Sequence, residues 1–358
     1  QQVNLTRFSL FFPEKREFFL ENSGLFAFGG AGTGPFGGGG DTPVLFYSRR
    51  IGLSGFREVP IQAGGRLTGR IGPYSIGVLD IRSDDEPTSG ARATNFTVAR
   101  LKRDILRRST VGLLFTGRSI TESGIGSNQT YGIDGNFAFF TNLAINTYWA
   151  RTKTSGLANN DVSYRTEFDY AGDLYGVQLE HLLVGENFNP EVGFVRRDDM
   201  RKSYAQFRFS PRPGPSSIVR QYSLSAAGTY IEDLDGQVES RELNGEFSIE
   251  LQNSDSFNIG YTGAYELLPQ PFRIAPETIL PIGTYDFSFV RAGVQFGSHR
   301  PIYGGLHWES GTFYNGHRKT FSIRQGRVRL TSQFSVEPSL SINWIDLPTG
   351  AFTASIVG

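Results

Sequence analysis

Long segments in which apolar and polar residues alternate one by one are the feature that most constrains the fold of this chain. In YGIDGNFAF (131–139), the aromatic and aliphatic residues fall on one face, and Asp134 and Asn136 fall on the other. The same period recurs in the segments 162–170, 245–251 and 257–266. A period of two is that of a β-strand with one apolar and one polar face. We therefore predict an all-β fold.

The lengths of the strands and of their connections narrow the fold class. The alternating segments have about ten to thirteen residues, whereas soluble strands usually have five or six and tilted membrane strands about nine to eleven. Short turns such as 72–74 alternate with long polar connections such as 83–93 and 184–199. Short turns on one side and long loops on the other are typical of outer-membrane barrels. The pattern predicts a transmembrane, antiparallel, up-and-down β-barrel in the lipid bilayer of the bacterial outer membrane.

Counting the segments from VLFYSRRIG (44–52) to AFTASIVG (351–358) gives about 18 strands. An even number is usual for single-chain bacterial barrels, and it places both ends of the strand run on the short-turn, periplasmic side. The sequence ends in TASIVG without a terminal aromatic residue, so further strands are expected beyond it. We predict that residues 44–358 form the barrel and that residues 1–43 form a separate N-terminal segment.

A soluble β-sandwich or β-propeller is the alternative fold. A propeller would show a repeat of about forty residues, which is not found, and a sandwich would have shorter strands. Tyr131 and Trp308 lie near strand ends, as in the aromatic girdles of membrane barrels, although aromatic residues favour strands in any sheet. In 284–296 and 318–330 the apolar phase slips, which indicates either a bulge or a misread register. The sequence favours the membrane barrel.

Composition and motifs argue against several functions. Lys+Arg and Asp+Glu are balanced at 35 each, so there is no electrostatic case for binding nucleic acid. No cysteine is present, which excludes thiol nucleophiles and thiolate metal sites. The four histidines have no metal-ligand spacing, and GGAGTG (29–34) lacks the context of a phosphate-binding loop. We predict no catalytic residue, no metal site and no cofactor.

Two other arrangements could carry chemistry but have simpler interpretations. His307 and Glu309 share one face of a strand and could form an acid–base pair, but a polar lumen wall is the favoured explanation. Acidic runs at 84–86 and 232–235 could bind Ca²⁺, but solvated loop charge is the favoured explanation. A hydrolase built into the barrel is therefore the third and weakest functional hypothesis.

Four motifs resemble those of a known family: NLTRFSLFFPEKREFFLEN (4–22), LFYSRRIG (45–52), NFTVARLKRDILRRSTVG (95–112) and VGENFNPEVGFVRRDD (184–199). The chain is similar to an uncharacterised family of bacterial envelope proteins, in which a β-barrel follows a domain similar to family-nine-type carbohydrate-binding modules. The resemblance covers most of the chain and implies a barrel, but no activity and no site residues. The partners it implies are the upstream domain, other envelope proteins and a glycan.

If the apolar face meets lipid, the polar face lines a lumen wide enough for water. The predicted lumen-lining residues are Arg66, Arg70, Asp80, Arg82, Arg118, Arg165, Glu167, Glu246, Glu250, Glu266, His307 and Glu309. Because strands far apart in sequence lie on opposite walls, we expect a basic wall facing an acidic wall. Two further functions stay open. One is a channel for polar solutes, including glycans, and the other is a closed barrel that anchors a binding platform.

The stretch FFPEKREFFLEN (11–22) is both apolar and charged, unlike the strands that follow it. Pro13 suits the first turn of a helix, and Asn22 and Gly24 can end one. We expect residues 1–43 to cap or enter the periplasmic mouth of the barrel as a plug, with the alternative that they pack on an upstream domain. The candidate contacts with the lumen charges are Glu14, Lys15, Arg16, Glu17 and Glu21.

Overall fold

A computed structural model describes residues 5–30, 40–55, 57–214, 216–329, 331 and 333–358. Helix α1 (Glu17–Leu20) is a single turn, and 3-10 turns form at Ser23–Phe26 and Ser48–Arg50. Within these ranges no helix is long and apolar enough to cross a membrane. The strands are β1 (Leu53–Ser54), β2 (Arg57–Glu58), β3 (Ile61–Ile71), β4 (Tyr74–Ser83), β5 (Thr94–Ile105), β6 (Ser109–Arg118), β7 (Asn128–Phe139), β8 (Leu143–Thr154), β9 (Val162–Ala171), β10 (Tyr175–Val184), β11 (Met200–Phe209), β12 (Val219–Glu232), β13 (Val238–Leu251), β14 (Ser256–Leu268), β15 (Phe272–Ala275), β16 (Thr278–Leu280), β17 (Gly283–Phe296), β18 (Ile302–Phe313), β19 (Gly316–Arg329), β20 (Ser335–Val336), β21 (Leu340–Leu347) and β22 (Gly350–Val357).

The long strands form one antiparallel, up-and-down barrel. Each strand from β3 to β14 pairs with the next, and β17, β18 and β19 continue the sheet. Two short ribbons lie outside it, β1 with β2 and β15 with β16. The strand order of the barrel contains 18 strands, which confirms the predicted fold class and approximate strand number.

The strand order places β22 next to β3, so these two strands stand at the two ends of the sheet where the barrel would close. The two-residue strand β20 pairs with β19, as β21 does, so β20 and β21 are one interrupted strand. Counted in this way, the strands described for the wall are odd in number, and β3 and β22 run in the same direction. An antiparallel ladder cannot join them, and the described residues show no ladder between these two strands.

The connections divide the barrel into two ends. One, the long-loop end, carries the long loops of the first half, at 84–93, 119–127, 155–161 and 185–199. The opposite, short-turn end carries 72–73, 106–108, 140–142 and 172–174. From β11 onward the difference fades, because 210–218 is long at the short-turn end and 314–315 is short at the long-loop end. Strand β3 begins at the long-loop end, so the prediction that both ends of the strand run lie on the short-turn side is wrong.

The outer and inner faces of the wall differ in polarity and in exposure. On the outer face Leu67 and Leu243 are 69% and 71% exposed, and similar apolar side chains follow on neighbouring strands. On the inner face Thr130 is only 1% exposed. An apolar belt of this extent around a barrel is stable in contact with hydrocarbon rather than with water. The outer face is therefore the lipid-facing surface.

The barrel begins later in the chain than the sequence predicts. Residues 44–52 are not a wall strand, because they form one bridge, Val44 with Phe194, and a 3-10 turn. Leu45 and Ile51 are buried in a core shared with the inner wall instead of facing lipid. The predicted boundary between residues 43 and 44 is thus corrected to the residues just before β3.

Candidate functional site

Described residues ahead of β3 pack against the inner face of the barrel, and we call residues 5–30 and 40–55 the inner segment. Its residues Phe26, Phe28 and Leu45 are buried in one hydrophobic core with inner-face side chains of β4 to β12, such as Leu79 and Val98. Because this core joins the segment to the wall, the lumen beside β4 to β12 is filled with protein.

Two glycines of the wall make room for aromatic rings of the inner segment. A Cβ atom on Gly132 of β7 would lie inside van der Waals distance of the Phe28 ring. A Cβ atom on Gly77 of β4 would approach Leu25 to 2.8 Å and Phe26 to 3.0 Å. Gly77 and Gly132, which we call the glycine socket, therefore let the segment approach the wall backbone.

A buried ion pair joins β5 and β7 beneath the inner segment. Arg100 donates to both carboxylate oxygens of Asp134, at 2.7 and 2.8 Å, and the two side chains are 0% and 2% exposed. The segment supplies two more hydrogen bonds, from Arg100 to the Ala27 carbonyl (2.9 Å) and from the Gly29 N–H to Asp134 (3.1 Å). A buried pair needs such additional bonds to offset the cost of desolvation. The sequence prediction missed this pair, because 95–104 fits either strand phase.

A second charged group holds the same part of the segment. Arg165 donates to Glu180 at 2.9 and 2.5 Å and to the Gly29 carbonyl at 3.2 Å. Lys202 lies 3.0 Å from Glu180 and 3.5 Å from Asp41 of the inner segment. Glu180 and Lys202 were not predicted, although Glu180 falls on the inner face by simple alternation. The predicted residue Glu167 also lies on this face, with its carboxylate 3.1 Å from Arg165.

The five candidate contacts of the plug have different surroundings. Only Glu21 forms an ion pair with the wall, with Arg66, which also donates to the Phe18 and Glu21 carbonyls. Lys15 and Glu17 are exposed.

Glu14 and Arg16 hold the inner segment to itself rather than to the wall. The Glu14 carboxylate accepts hydrogen bonds from Arg16 (2.6 Å) and from the Ser48 hydroxyl (2.7 Å). Arg16 also donates to the carbonyls of Ser48 and Ile51, at 2.8 and 2.7 Å. Burial alone would raise the pKa of Glu14, but these hydrogen bonds and those from the Arg16 and Lys15 backbone lower it to about 2. The motif at 11–22 thus fixes the turn at Ser48–Arg50.

Two predicted lumen residues lie on the other face of their strand. In β4 Leu79 and Ile81 are buried, and they contact the core around the inner segment. Asp80 and Arg82 share the opposite, exposed face with Val78. The prediction that they line the lumen is wrong. The inner face of β4 is apolar where the inner segment covers it, and the polar residues Asp80 and Arg82 lie on the outer face.

The remaining predicted side chains of the early strands lie on the inner face. Arg70 pairs with Asp104 near the short-turn end, with the two side chains 66% and 42% exposed. Arg118 lies near the long-loop end, 3.2 Å from Glu122 and 3.5 Å from Glu191.

The later strands also place their predicted residues on the inner face, together with arginines. The pairs are Glu246 with Arg291 (3.7 Å), Glu250 with Arg220 (2.6 Å), Glu309 with Arg318 (3.1 Å) and Glu266 with Arg7 of the inner segment (3.4 Å). His307 faces Gly293 of β17 across the ladder. Because the glutamates have arginine neighbours, the expected opposition of a basic wall and an acidic wall is wrong.

A second apolar cluster lies at the long-loop end of β14 to β22. The hairpin β15–β16 contributes Ile274 and Leu280, which pack with Tyr285 and Phe313 of the inner wall. Leu5 of the inner segment packs against the same cluster. The long-loop mouth is therefore narrowed on this side as well. In the part of the chain that the structure describes, no group of three or more His, Asp and Glu side chains could hold a metal ion.

An antiparallel up-and-down barrel with an apolar outer belt and a charged inner face defines the class of protein. It is a transmembrane β-barrel of the outer-membrane type.

Comparisons with known proteins found similarity only among solved structures. No protein-family model and no curated protein matches the chain. The chain is similar to OccAB2 of Acinetobacter baumannii, with 9% identity over 82% of this chain and 86% of that chain and a TM-score of 0.45. It is also similar to OpdQ of Pseudomonas aeruginosa (10%, 79% and 92%, TM-score 0.40) and to the outer membrane protein OpdK of that organism (11%, 79% and 88%, TM-score 0.39).

Proposed function

We propose that the protein is a channel of the bacterial outer membrane for small polar solutes, with a lumen that the inner segment narrows. One observation carries the proposal. The side chains of Glu246 and Glu250 belong to the inner face of β13, yet they are 39% and 40% exposed. Charged groups inside a barrel keep this exposure only where water reaches them. The side of the lumen beside β13 is thus wet, whereas the side beside β7 is dry.

The wet lining can replace part of the hydration shell of a polar solute. Carboxylates and guanidinium groups are paired there. Glu250 of β13 pairs with Arg220 of the adjacent β12, and Glu246 of β13 pairs with Arg291 of β17 across β14. Such paired charges offer both hydrogen-bond donors and hydrogen-bond acceptors, and they orient a dipolar solute without holding it tightly. The solute would pass between the inner segment and the wall from β13 to β19. No catalytic step is part of this proposal.

Planar-bilayer recordings test the channel. We expect the wild-type protein to conduct, and the double variant E246Q/E250Q to lose a measurable part of its preference for cations, seen as a shift in reversal potential under a salt gradient. The matched control is D80N, which removes a carboxylate from the outer face. Absence of conductance in the wild-type protein, or an equal shift in D80N, would contradict the proposal.

A closed barrel that serves as a membrane anchor is the second candidate. The buried Arg100–Asp134 pair and the two apolar clusters favour it, because both narrow the lumen. In that case an upstream carbohydrate-binding-like domain or other envelope proteins would supply the function, with glycans as ligands. The same recordings separate the candidates, since a closed barrel passes no current at any voltage.

A further inference from the structure

A cleft opens at the long-loop end, between the inner segment and two loops of the first half. Its volume is about 1070 Å³, which is close to the upper end of the usual range for small-molecule sites. The inner segment contributes Phe12, Tyr47 and Arg49 to the lining, and the loops contribute Arg92 and Glu122. The cleft lies away from the wet lining around Glu246.

The charges that line the cleft are not balanced. Arg50 and Arg118 each lie 3.2 Å from the same carboxylate oxygen of Glu122. Within the described residues Arg49 and Arg92 form no ion pair. Their hydrogen bonds go to backbone carbonyls, those of Pro13 (3.4 Å) and Gly124 (3.2 Å). Two guanidinium groups are therefore available to an anion.

An aromatic surface lies beside these guanidinium groups. Phe12 is exposed, and the Arg49 guanidinium lies 5.9 Å from the centre of its ring. The Tyr47 hydroxyl donates to the Phe12 carbonyl at 2.6 Å, which fixes the backbone that carries the ring. The Tyr47 ring itself packs on Phe11 and Phe194, with ring centres 4.8 and 5.7 Å apart. The cleft thus offers a rigid apolar surface beside unneutralised positive charge.

The position of Arg49 is set by the motif at 11–22. Glu14 and Arg16 bind both the side chain and the carbonyl of Ser48, the residue next to Arg49. A preorganised guanidinium loses less entropy when it binds a ligand, which increases affinity. The charged residues of the motif therefore help to position Arg49 in the cleft.

We propose that this cleft binds a small organic anion, a carboxylate or phosphate carried on an apolar body. Arg49 and Arg92 would bind the anionic group, because a guanidinium matches the geometry of carboxylate and phosphate oxygens. The apolar body would pack on the Phe12 ring. The site is independent of the proposed channel, because binding does not require conduction.

Calorimetric titration of the detergent-purified protein tests the site. The probes are phenylphosphate and phenylacetate, with 2-phenylethanol as the neutral analogue and inorganic phosphate as the anion without a ring. We expect saturable binding of the aryl anions, at least tenfold weaker binding by R49Q/R92Q, and weakening by added salt. We also expect E122Q to bind the aryl anions more tightly, because it removes the carboxylate that competes for the arginines. The matched control is R82Q, which removes a guanidinium from the outer face at the same end of the barrel.

Several outcomes would overturn the proposal. They are absence of saturable binding by the wild-type protein, equal binding of the neutral analogue, and equal weakening in R82Q and R49Q/R92Q. Heat-dependent migration on gels verifies that each variant keeps its barrel. Conductance of the wild-type protein is measured separately, so failure of the anion site and failure of the channel are distinguishable.

Discussion

The two sides of the lumen are built from the same alternating strands but have opposite interiors. Beside β4 to β12 the inner face carries Leu79 and Val98 and is covered by the inner segment. Beside β13 the inner face carries Glu246 and Glu250, which water reaches. The difference shows that the alternating pattern of a barrel strand predicts only which face meets lipid. The polarity of the inner face depends on whether protein or water occupies the lumen beside it.

The ion pairs on the inner face of the wall also differ in how far water reaches them. Arg100 and Asp134 are fully enclosed, and their carboxylate and guanidinium groups bond to the inner segment. Arg70 of β3 and Asp104 of β5 also pair across one intervening strand on the inner face, but near the short-turn end and in contact with water. Charge beneath the segment is thus part of a packed core, and charge near the short-turn end is part of a solvated surface.

Removing the inner segment is the change that we expect to alter the lumen most. Deleting residues 1–58 leaves every wall strand in place, since the wall begins with β3. We expect the conductance in planar bilayers to rise several-fold, because the lumen of a barrel of about this strand number is wide when empty. The control is deletion of 156–159 in an exposed loop. An unchanged conductance in the larger deletion would show that the segment does not limit the lumen.

The buried pair is the next most sensitive feature. Arg100→Ala leaves the Asp134 carboxylate enclosed without its partner, which we expect to cost about 3–5 kcal/mol of unfolding free energy. Arg70→Ala breaks the exposed pair and should cost about 0–1 kcal/mol. Urea titration in lipid vesicles measures both. Equal losses in the two variants would mean that the pair beneath the inner segment is solvated like the pair near the short-turn end.

The glycine socket gives a smaller effect confined to the segment. Gly132→Ala pushes a methyl group into the Phe28 ring, and such overpacking costs about 1–3 kcal/mol. Gly245→Ala is the matched control, because a Cβ atom there has no neighbour within 4 Å. We expect limited proteolysis to cut the inner segment faster in Gly132→Ala and at the wild-type rate in Gly245→Ala. Identical cleavage rates would argue against a seated segment.

The sequence predicts the wall well because lipid imposes the same demand on every strand. Segments such as 131–139 and 245–251 are strands of the barrel, with their apolar residues facing outward. The slipping phase of 318–330 is a true irregularity, since the pairing of β18 with β19 shifts between Tyr303 and Gly305. These features depend only on local pattern and on the solvent outside.

The inner side is predicted less well, because a polar lumen was assumed everywhere. Asp80 and Arg82 were assigned inward although Leu79 and Ile81 occupy that face. In 284–296 the slip is not a bulge, because the register of β17 with β14 is continuous. Tyr285 instead turns inward to a second apolar cluster. A strand that is apolar on both faces is the sequence signal of a covered lumen.

The smallest effect is a dependence on pH of the turn that carries Arg49. The pKa of Glu14 is lowered to about 2 by its hydrogen bonds, from an ordinary value near 4.5. A carboxylate with a lowered pKa stabilises the fold above its ordinary pKa, and this stabilisation is lost as the pH falls through about 2. The Glu14→Gln variant lacks it at every pH, at a cost of about 1–2 kcal/mol.

Amide exchange at Ser48–Arg50 measures this contribution between pH 6 and pH 2. We expect protection in the wild-type protein to decline toward that of Glu14→Gln as the pH approaches 2, with the largest difference near pH 6. Other carboxylates titrate over the same range, Glu86 among them, but they are common to both proteins and cancel in the difference. A difference that stays constant down to pH 2 would show that the Glu14 charge does not hold the turn. The turn would then be held by other contacts, such as the packing of Tyr47 on Phe11 and Phe194.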